Sequence, residues 1–199
     1  VSLGYGGWFP YNETGYAYPY GGTLAYTYAD PQAVQDLLNV FLQERYERWK
    51  GTYIAYDADA CGEGTARVMT PLAGYLKPGT KHGETVSEGQ GYGMAMAAAI
   101  GDKVLFDKLW RFTRHFLSQS SKKYCGGLMG WNWKGADDCR PLDVPCDPDK
   151  EGCGGDGDSA FDGDVDIGIG LVFAARQWPE YTQAAVGWLT KMECEINTA

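Results

Sequence analysis

The feature that most constrains this chain is the run Ser87-Glu88-Gly89-Gln90-Gly91-Tyr92-Gly93-Met94, continuing through Ala95 to Ile100. Ser87 is an N-cap candidate and Gly101 a stop, so the spacing predicts a helix over 88–100. Gly91, Gly93, Ala95, Ala97, Ala98 and Ala99 give that helix a surface with almost no side chain. Such a surface lets a neighbouring backbone come very close, and the fold has to supply that neighbour.

Four more helices supply candidates. Asp30 and Pro31 read as N-cap and first helical residue of a helix ending before Gly51. Val34, Leu37, Leu38, Phe41, Tyr46 and Trp49 lie near one face of it. A helix over 103–117 repeats Leu105, Leu109, Phe112 and Phe116. Another starts near Asp162 and ends at Gln177–Trp178, before Pro179, and a last one covers 180–195. Residues 52–87 read as loop with extended pieces at 52–56 and 65–70. Residues 118–160, dense in Gly, Asp, Pro and Cys, form a long loop region, and loops of that length inside a domain are usually functional. Residues 1–29 are rich in Tyr and Gly and read as an irregular aromatic arm. No internal repeat and no linker appears, so 30–199 is treated as one unit.

The 199 residues suffice for one ordinary domain. A net charge of −9 lacks the basic footprint of nucleic-acid binding and disfavours anionic membranes. No apolar run is long enough to span a bilayer. The chain starts with Val and shows no signal peptide, so a leader has been removed or left out. Neutral polymers remain as partners, as do cationic ones such as chitosan. The six cysteines, Cys61, Cys125, Cys139, Cys146, Cys153 and Cys194, suggest disulfides and a secreted protein. Zinc spacing is absent, and the histidines are His82 and His115. Asn12-Glu13-Thr14 is a sequon.

Chemistry concentrates in two segments. One is the run from Val86 to Met94 with Glu88; the other is Ala160-Phe161-Asp162-Gly163-Asp164-Val165-Asp166-Ile167-Gly168. Each sets a carboxylate at a helix start beside glycines. The helix dipole alone explains an acidic residue there, at ~0.3–1 kcal/mol. A proton donor needs the opposite influence, from burial or a second carboxylate, and Asp162 and Asp164 are the neighbours on offer. A third acidic group, Asp147, Asp149, Glu151 and Asp158, starts like an EF-hand loop but departs from it at the fifth and twelfth positions. A looser structural calcium site is the candidate there; no cofactor is otherwise required.

The chain resembles glycoside hydrolase family 8, which holds endoglucanases, lichenases, chitosanases and xylanases. The resemblance runs through Tyr46-Glu47-Arg48-Trp49-Lys50, Thr65-Ala66-Arg67-Val68, the Glu88 segment, Leu105-Phe106-Asp107-Lys108-Leu109-Trp110, Leu128-Met129-Gly130-Trp131-Asn132-Trp133 and Asp156–Asp164 up to Trp178. Phe161 departs from it, standing where the family has Ser or Thr, and so do Gly168 and Gly170.

The resemblance implies an all-α (α/α)6 barrel and hydrolysis of a β-linked polysaccharide with inversion, a β-1,4-type glucan first, chitosan or xylan next. By position Glu88 matches the general acid and Asp162 the Asp that binds and distorts the sugar; Asp164 is a candidate second carboxylate. Trp131, Trp133 and Tyr92 are candidate sugar-facing aromatics, since indole and phenol rings pack on the C–H faces of sugars. Arg67 is a candidate for holding a carboxylate of the site or for an ordinary structural ion pair.

Five helices fall short of six pairs, and the family's base lies in a Tyr-Asp-x-x-Arg-like segment. Tyr56-Asp57-Ala58-Asp59-Ala60 is the nearest stretch here and lacks the Arg. The expectation is therefore an N-terminal half-barrel whose remainder, on a second chain or a missing segment, brings the base. The competing class is a non-catalytic carbohydrate-binding or structural protein on the same fold.

The cysteine reading has a direct check. Protein isolated without reductant should gain mass on reduction and accept thiol label only afterwards; six free thiols at isolation would refute it.

Overall fold

The computed structural model describes residues 31–60, 62–70, 84–115, 127–133 and 159–198. The aromatic arm, the Asp30 cap, Phe116 and Leu117, five of the cysteines and the Asp147–Asp158 acidic group lie outside these residues.

Five α-helices dominate. They are α1 (Pro31–Tyr53), α2 (Ser87–Ile100), α3 (Lys103–His115), α4 (Phe161–Gln177) and α5 (Thr182–Thr198), with a 3-10 turn at Pro179–Tyr181 before α5. Four short strands join them: β1 (Ile54–Tyr56), β2 (Ala66–Val68), β3 (Thr85–Val86) and β4 (Asn132–Trp133). β1 pairs antiparallel with β2, and β3 antiparallel with β4, with Thr85 opposite Trp133 and Val86 opposite Asn132.

Two helix ends depart from the expected punctuation. Helix α1 continues through Gly51 to Tyr53 before passing directly into β1. Ser87 is already helical; Val86 holds the N-cap position and no side chain caps it. Gly101 does end α2, in the left-handed conformation at φ 83° that glycine adopts without a Cβ penalty. The chain then turns at once into α3, whose start is capped by Asp102: its Oδ1 accepts the Leu105 N–H at 3.0 Å. The other carboxylate oxygen accepts from Tyr46 and Lys50, both at 3.1 Å, and so ties α1 to the α2–α3 corner.

The small-residue surface of α2 meets α4. A Cβ placed on Gly91 would lie 2.5 Å from the Asp166 Cβ, and one on Gly170 would lie 2.8 Å from the Met94 Cβ. The backbones are therefore in contact, closer than any two ordinary side chains permit. Gln90 faces the other way and is fully buried. Its Oε1 accepts the Val68 N–H, and its Nε2 donates to the Leu109 carbonyl, both at 3.0 Å. One side chain thus joins β2, α2 and α3. Leu105, Phe106, Leu109 and Phe112 of α3 bury their expected face here, with Met94, Ala97, Ile167 and Leu171.

Of the described residues on the expected apolar face of α1, burial is confined to the C-terminal part. Tyr46 is in the core, whereas Leu37 is 69% and Phe41 46% exposed. On α4, Ile169, Val172 and Phe173 are exposed, and on α5 Val186, Leu189 and Ile196. An apolar groove of about 430 Å³ runs between α1, α2 and α4, lined by Leu42, Trp49, Met96 and Phe173 among others.

The glycine contact makes two opposite predictions. Gly91→Ala and Gly170→Ala should each destabilise by ~1–3 kcal/mol through overpacking. Gly187→Ala, on α5 with nothing within 4 Å of the new Cβ, should stabilise by up to ~1 kcal/mol. Urea unfolding checks both; a neutral Gly91→Ala would contradict the backbone contact.

Candidate active site

The start of α2 is held by its neighbours on two sides. The Ser87 N–H, one of the donors that a helix start leaves without an intrahelical partner, donates to the Trp131 carbonyl at 2.9 Å. With the β3–β4 pairing, this anchors the Gly130–Trp133 segment beside Glu88. On the other side, the start of α4 rests on Ser87: a Cβ at Gly163 would overlap the Ser87 side chain and come within 3.0 Å of the Glu88 nitrogen. Two helix N-termini, each with a carboxylate in its first turn, therefore lie against one another.

Glu88 is half-buried, and its Oε2 accepts from the Ser87 hydroxyl at 3.4 Å. Asp162 is exposed, and its Oδ1 accepts the Gly163 N–H at 3.0 Å. Close packing of α2 on α4 brings a third carboxylate to this group. Asp166, one turn beyond Asp162, is raised in pKa by partial burial and by the negative charges of Asp162 and Glu88. Tyr92 lies one turn beyond Glu88, and the neighbouring charge of Asp166 raises its pKa. Sequence reading missed Asp166; the signal available was its four-residue spacing from Asp162 on the predicted helix.

Asp164 faces elsewhere. It is 1% exposed, and its Oδ1 has no hydrogen-bond partner. Burial pushes its carboxyl up to about 7, against the opposing hydrogen bond from Ser159; the charges of Glu195, Asp162 and Glu88 add to the rise. Its backbone carbonyl accepts the Trp188 Nε1–H at 2.9 Å, toward α5. Asp164 is thus near enough to Glu88 and Asp162 to feel their charges, but its side chain is buried, since two residues along a helix turn a side chain from one face to another.

The aromatic candidates divide. Trp131 is half-buried next to the α2 start, and Tyr92 is 57% exposed. Trp133 is 1% exposed and packs edge-on against Phe112, so it belongs to the core and not to a sugar-facing wall. Arg67 is fully buried with it: the guanidinium stacks 4.3 Å over the Trp133 ring and donates to the Thr85 hydroxyl at 3.1 Å. Arg67 therefore braces the floor under β3. In the Tyr56–Ala60 stretch, Asp57 accepts the Gly64 N–H at 2.8 Å and pairs with Lys108 at 3.2 Å. Those contacts hold its carboxyl below the usual range.

Among the described residues no group of three or more potential metal ligands occurs, and the candidate calcium residues lie outside them. Cys194, the one cysteine among them, is in a disulfide. No described helix is long and apolar enough to cross a membrane.

Asp164 makes stability depend on pH. Its folded pKa of about 7 exceeds the ordinary 3.8, so between about pH 4 and 7 the folded chain holds a proton that the unfolded chain has released. Stability should fall as pH rises through that window, at up to ~1.4 kcal/mol per pH unit. Asp164→Asn should match the parent near pH 4 and melt higher than the parent above pH 7. Thermal melts that shift equally with pH in both proteins would contradict this.

Comparison with known proteins places this arrangement. The family model described as Glycosyl hydrolases family 8 matches residues 22–196. The chain is 33% identical over 189 residues to Endoglucanase 2 of Ruminiclostridium josui, covering 95% of this chain and 33% of that protein. It is 30% identical over 190 residues to Endoglucanase C of Ruminiclostridium cellulolyticum, again covering 95% and 33%. The structure is similar to the apo β-1,3-1,4-glucanase from Paenibacillus sp. X4, with a TM-score of 0.56 at 24% identity over 78% of this chain and 35% of that one. The fold is thus part of an (α/α)6 barrel, and the chain spans about a third of the length of the curated relatives it matches. On the family match and the paired helix starts together, the chain belongs to glycosyl hydrolase family 8.

Proposed function

We propose that this chain is the acid-bearing part of an endo-acting, inverting glycoside hydrolase that cleaves β-1,4-linked glucan. The observation that carries the reading is the abutment of two helix starts that sets Glu88 beside Asp162 and Asp166, with Trp131 and Tyr92 at the same end. The endoglucanase names of the curated relatives support a neutral β-glucan over chitosan or xylan.

In this reading Glu88, as the carboxylic acid, protonates the glycosidic oxygen as the C–O bond to the anomeric carbon breaks. Asp162, exposed one helix away, accepts hydrogen bonds from the sugar hydroxyls and holds the ring in its distorted form. A carboxylate across the sugar takes a proton from water, whose oxygen bonds to the anomeric carbon from the opposite face. Inverting enzymes leave room for that water by keeping the two carboxyls ~6.5–9.5 Å apart. Asp162 and Asp166 adjoin Glu88 on one side, and the base is assigned to the part of the barrel that this chain does not contain.

That remaining part, on a continuation or a second chain, also covers the exposed Leu37, Phe41, Ile169, Val172 and Phe173. Apolar patches of this kind mark an interface. A secreted enzyme with further disulfides fits the six cysteines.

Glu88→Gln keeps the shape of the side chain and removes the transferable proton. In the complete enzyme it should lower kcat by ~10²-fold or more on barley β-glucan or carboxymethylcellulose, with folding unchanged. Turnover within a few-fold of the parent would end the assignment. Faster initial rates on chitosan or xylan than on either glucan would reassign the substrate, and binding without hydrolysis by the complete protein would favour the carbohydrate-binding reading.

A further inference from the structure

We propose that Phe161 is a substrate-binding residue: its ring stacks on the second sugar to the non-reducing side of the scissile bond, next to the sugar that Asp162 holds. The inference rests on the hydrolase reading above and deepens it by naming a residue that sets where a chain is cut.

Three observations carry it. Phe161 is the first residue of α4, directly before Asp162, and it is 57% exposed. Its ring takes no part in the core cluster and, among the described residues, meets no other aromatic ring. A phenyl ring left in water forgoes the free energy that burial would return, and this one gives the fold no packing in exchange. The start of α4 gains nothing from it either. Ala160 holds the N-cap position and no side chain caps the helix, where serine, threonine or aspartate would satisfy an orphan N–H. A helix start that gives up local stability at two successive positions, beside two exposed or half-buried carboxylates, has the mark of a site kept for a ligand.

The third observation gives the ring its place. Helix α4 touches α2 through Gly163, Asp166 and Gly170. At 3.6 residues per turn, Phe161 lies on the opposite side of α4, with Asp162 between. The order across this end of the helix pair is therefore Glu88, Asp162, Phe161. In the reaction Glu88 works at the scissile oxygen and Asp162 holds the sugar on its non-reducing side, so Phe161 meets the next sugar in that direction. Val172 shares the Phe161 side of α4 but lies about three turns away from the carboxylates, on the face that the rest of the barrel covers. A glucosyl ring presents an apolar C–H face, and a phenyl ring packs on it without requiring any pattern of hydroxyls. The contact strengthens binding of a chain that reaches this position and does nothing for one that ends at Asp162. It acts on ground state and transition state alike, so it appears in KM and leaves kcat nearly untouched.

The test uses the complete enzyme and cellopentaose labelled at its reducing end. The parent should favour bonds with at least two sugars on their non-reducing side. Phe161→Ala should raise KM about two- to tenfold, the range of one aromatic contact, with kcat within about twofold of the parent. The share of cuts that release a single glucose from the non-reducing end should rise by a similar factor. Phe161→Trp restores an aromatic face and should return both readouts close to the parent. Thermal melts of the three proteins should coincide, because the ring packs on nothing. Unchanged KM and cleavage pattern in Phe161→Ala would overturn the assignment. So would an equal loss in Phe161→Trp, or a fall in kcat with the pattern unmoved. A parent inactive on every β-glucan would sink the functional reading and this inference with it, whereas an active parent with both variants unaffected would sink this inference alone.

Discussion

The backbones of α2 and α4 touch at Gly91, Gly163 and Gly170, and the position of each acidic group near Glu88 follows from that contact. Two helices separated by ordinary side chains lie 8–10 Å apart at their axes. Glycine and alanine bring them closer, and here closeness does chemical work. It sets the first turn of α4 on the first turn of α2, so that Glu88, Asp162 and Asp166 share one small region with like charge. Each carboxylate alone would be favoured by its own helix dipole. Assembled, they oppose one another, and the charges of Asp162 and Glu88 add to the rise that burial gives the Asp166 pKa. A binding site gains from this arrangement what stability loses.

The rest of the described chain holds that contact in place. Gln90 fastens α2 to β2 and α3 from behind. Asp102 collects Tyr46 and Lys50 of α1 at the α2–α3 corner. Gln177 donates to the Ala98 carbonyl at 3.1 Å and closes the far end of the α2–α4 pair. Behind α4, Trp188 of α5 bonds the Asp164 backbone, while Lys191 reaches the Gly127 carbonyl and so steadies the approach to Trp131. Burial depresses the Lys191 pKa in doing so. Among the described residues, apolar side chains on α1, α4 and α5 stay exposed, among them Leu37, Phe41, Val172, Phe173 and Ile196.

Much of this was legible in the residues, and the failures have physical causes. Helix positions were readable because Gly101 and Pro179 punctuate the chain and α3 has a clean apolar period. Gly51 was not a stop, since a helix tolerates one glycine when tertiary contacts nearby hold it; propensity is a weak prior. The Gly- and Ala-rich surface announced a close contact but not its partner, which is a long-range property. For the same reason Trp131 and Trp133 looked alike in sequence. The β3–β4 pairing buries the second under Arg67 and leaves the first at the site, and neither strand is long enough to show an alternation. Among the three aspartates of α4, sequence favoured the first two. Helical geometry instead groups the first with the third and turns Asp164 inward. Residues 1–30 and the acidic segment before Ser159 lie outside the described residues.

The account stands on Glu88 as an acid working opposite a base that is supplied across the sugar. Product stereochemistry tests that geometry most directly. Proton NMR of a cello-oligosaccharide digest by the complete enzyme, followed before mutarotation, reports the anomer of the first new reducing end. The account predicts the α-anomer from a β-linked substrate, as a single displacement by water requires. A β-anomer formed first would mean a nucleophilic carboxylate close to Glu88 and a covalent intermediate, and would contradict the assignment of the base to the far side of the cleft.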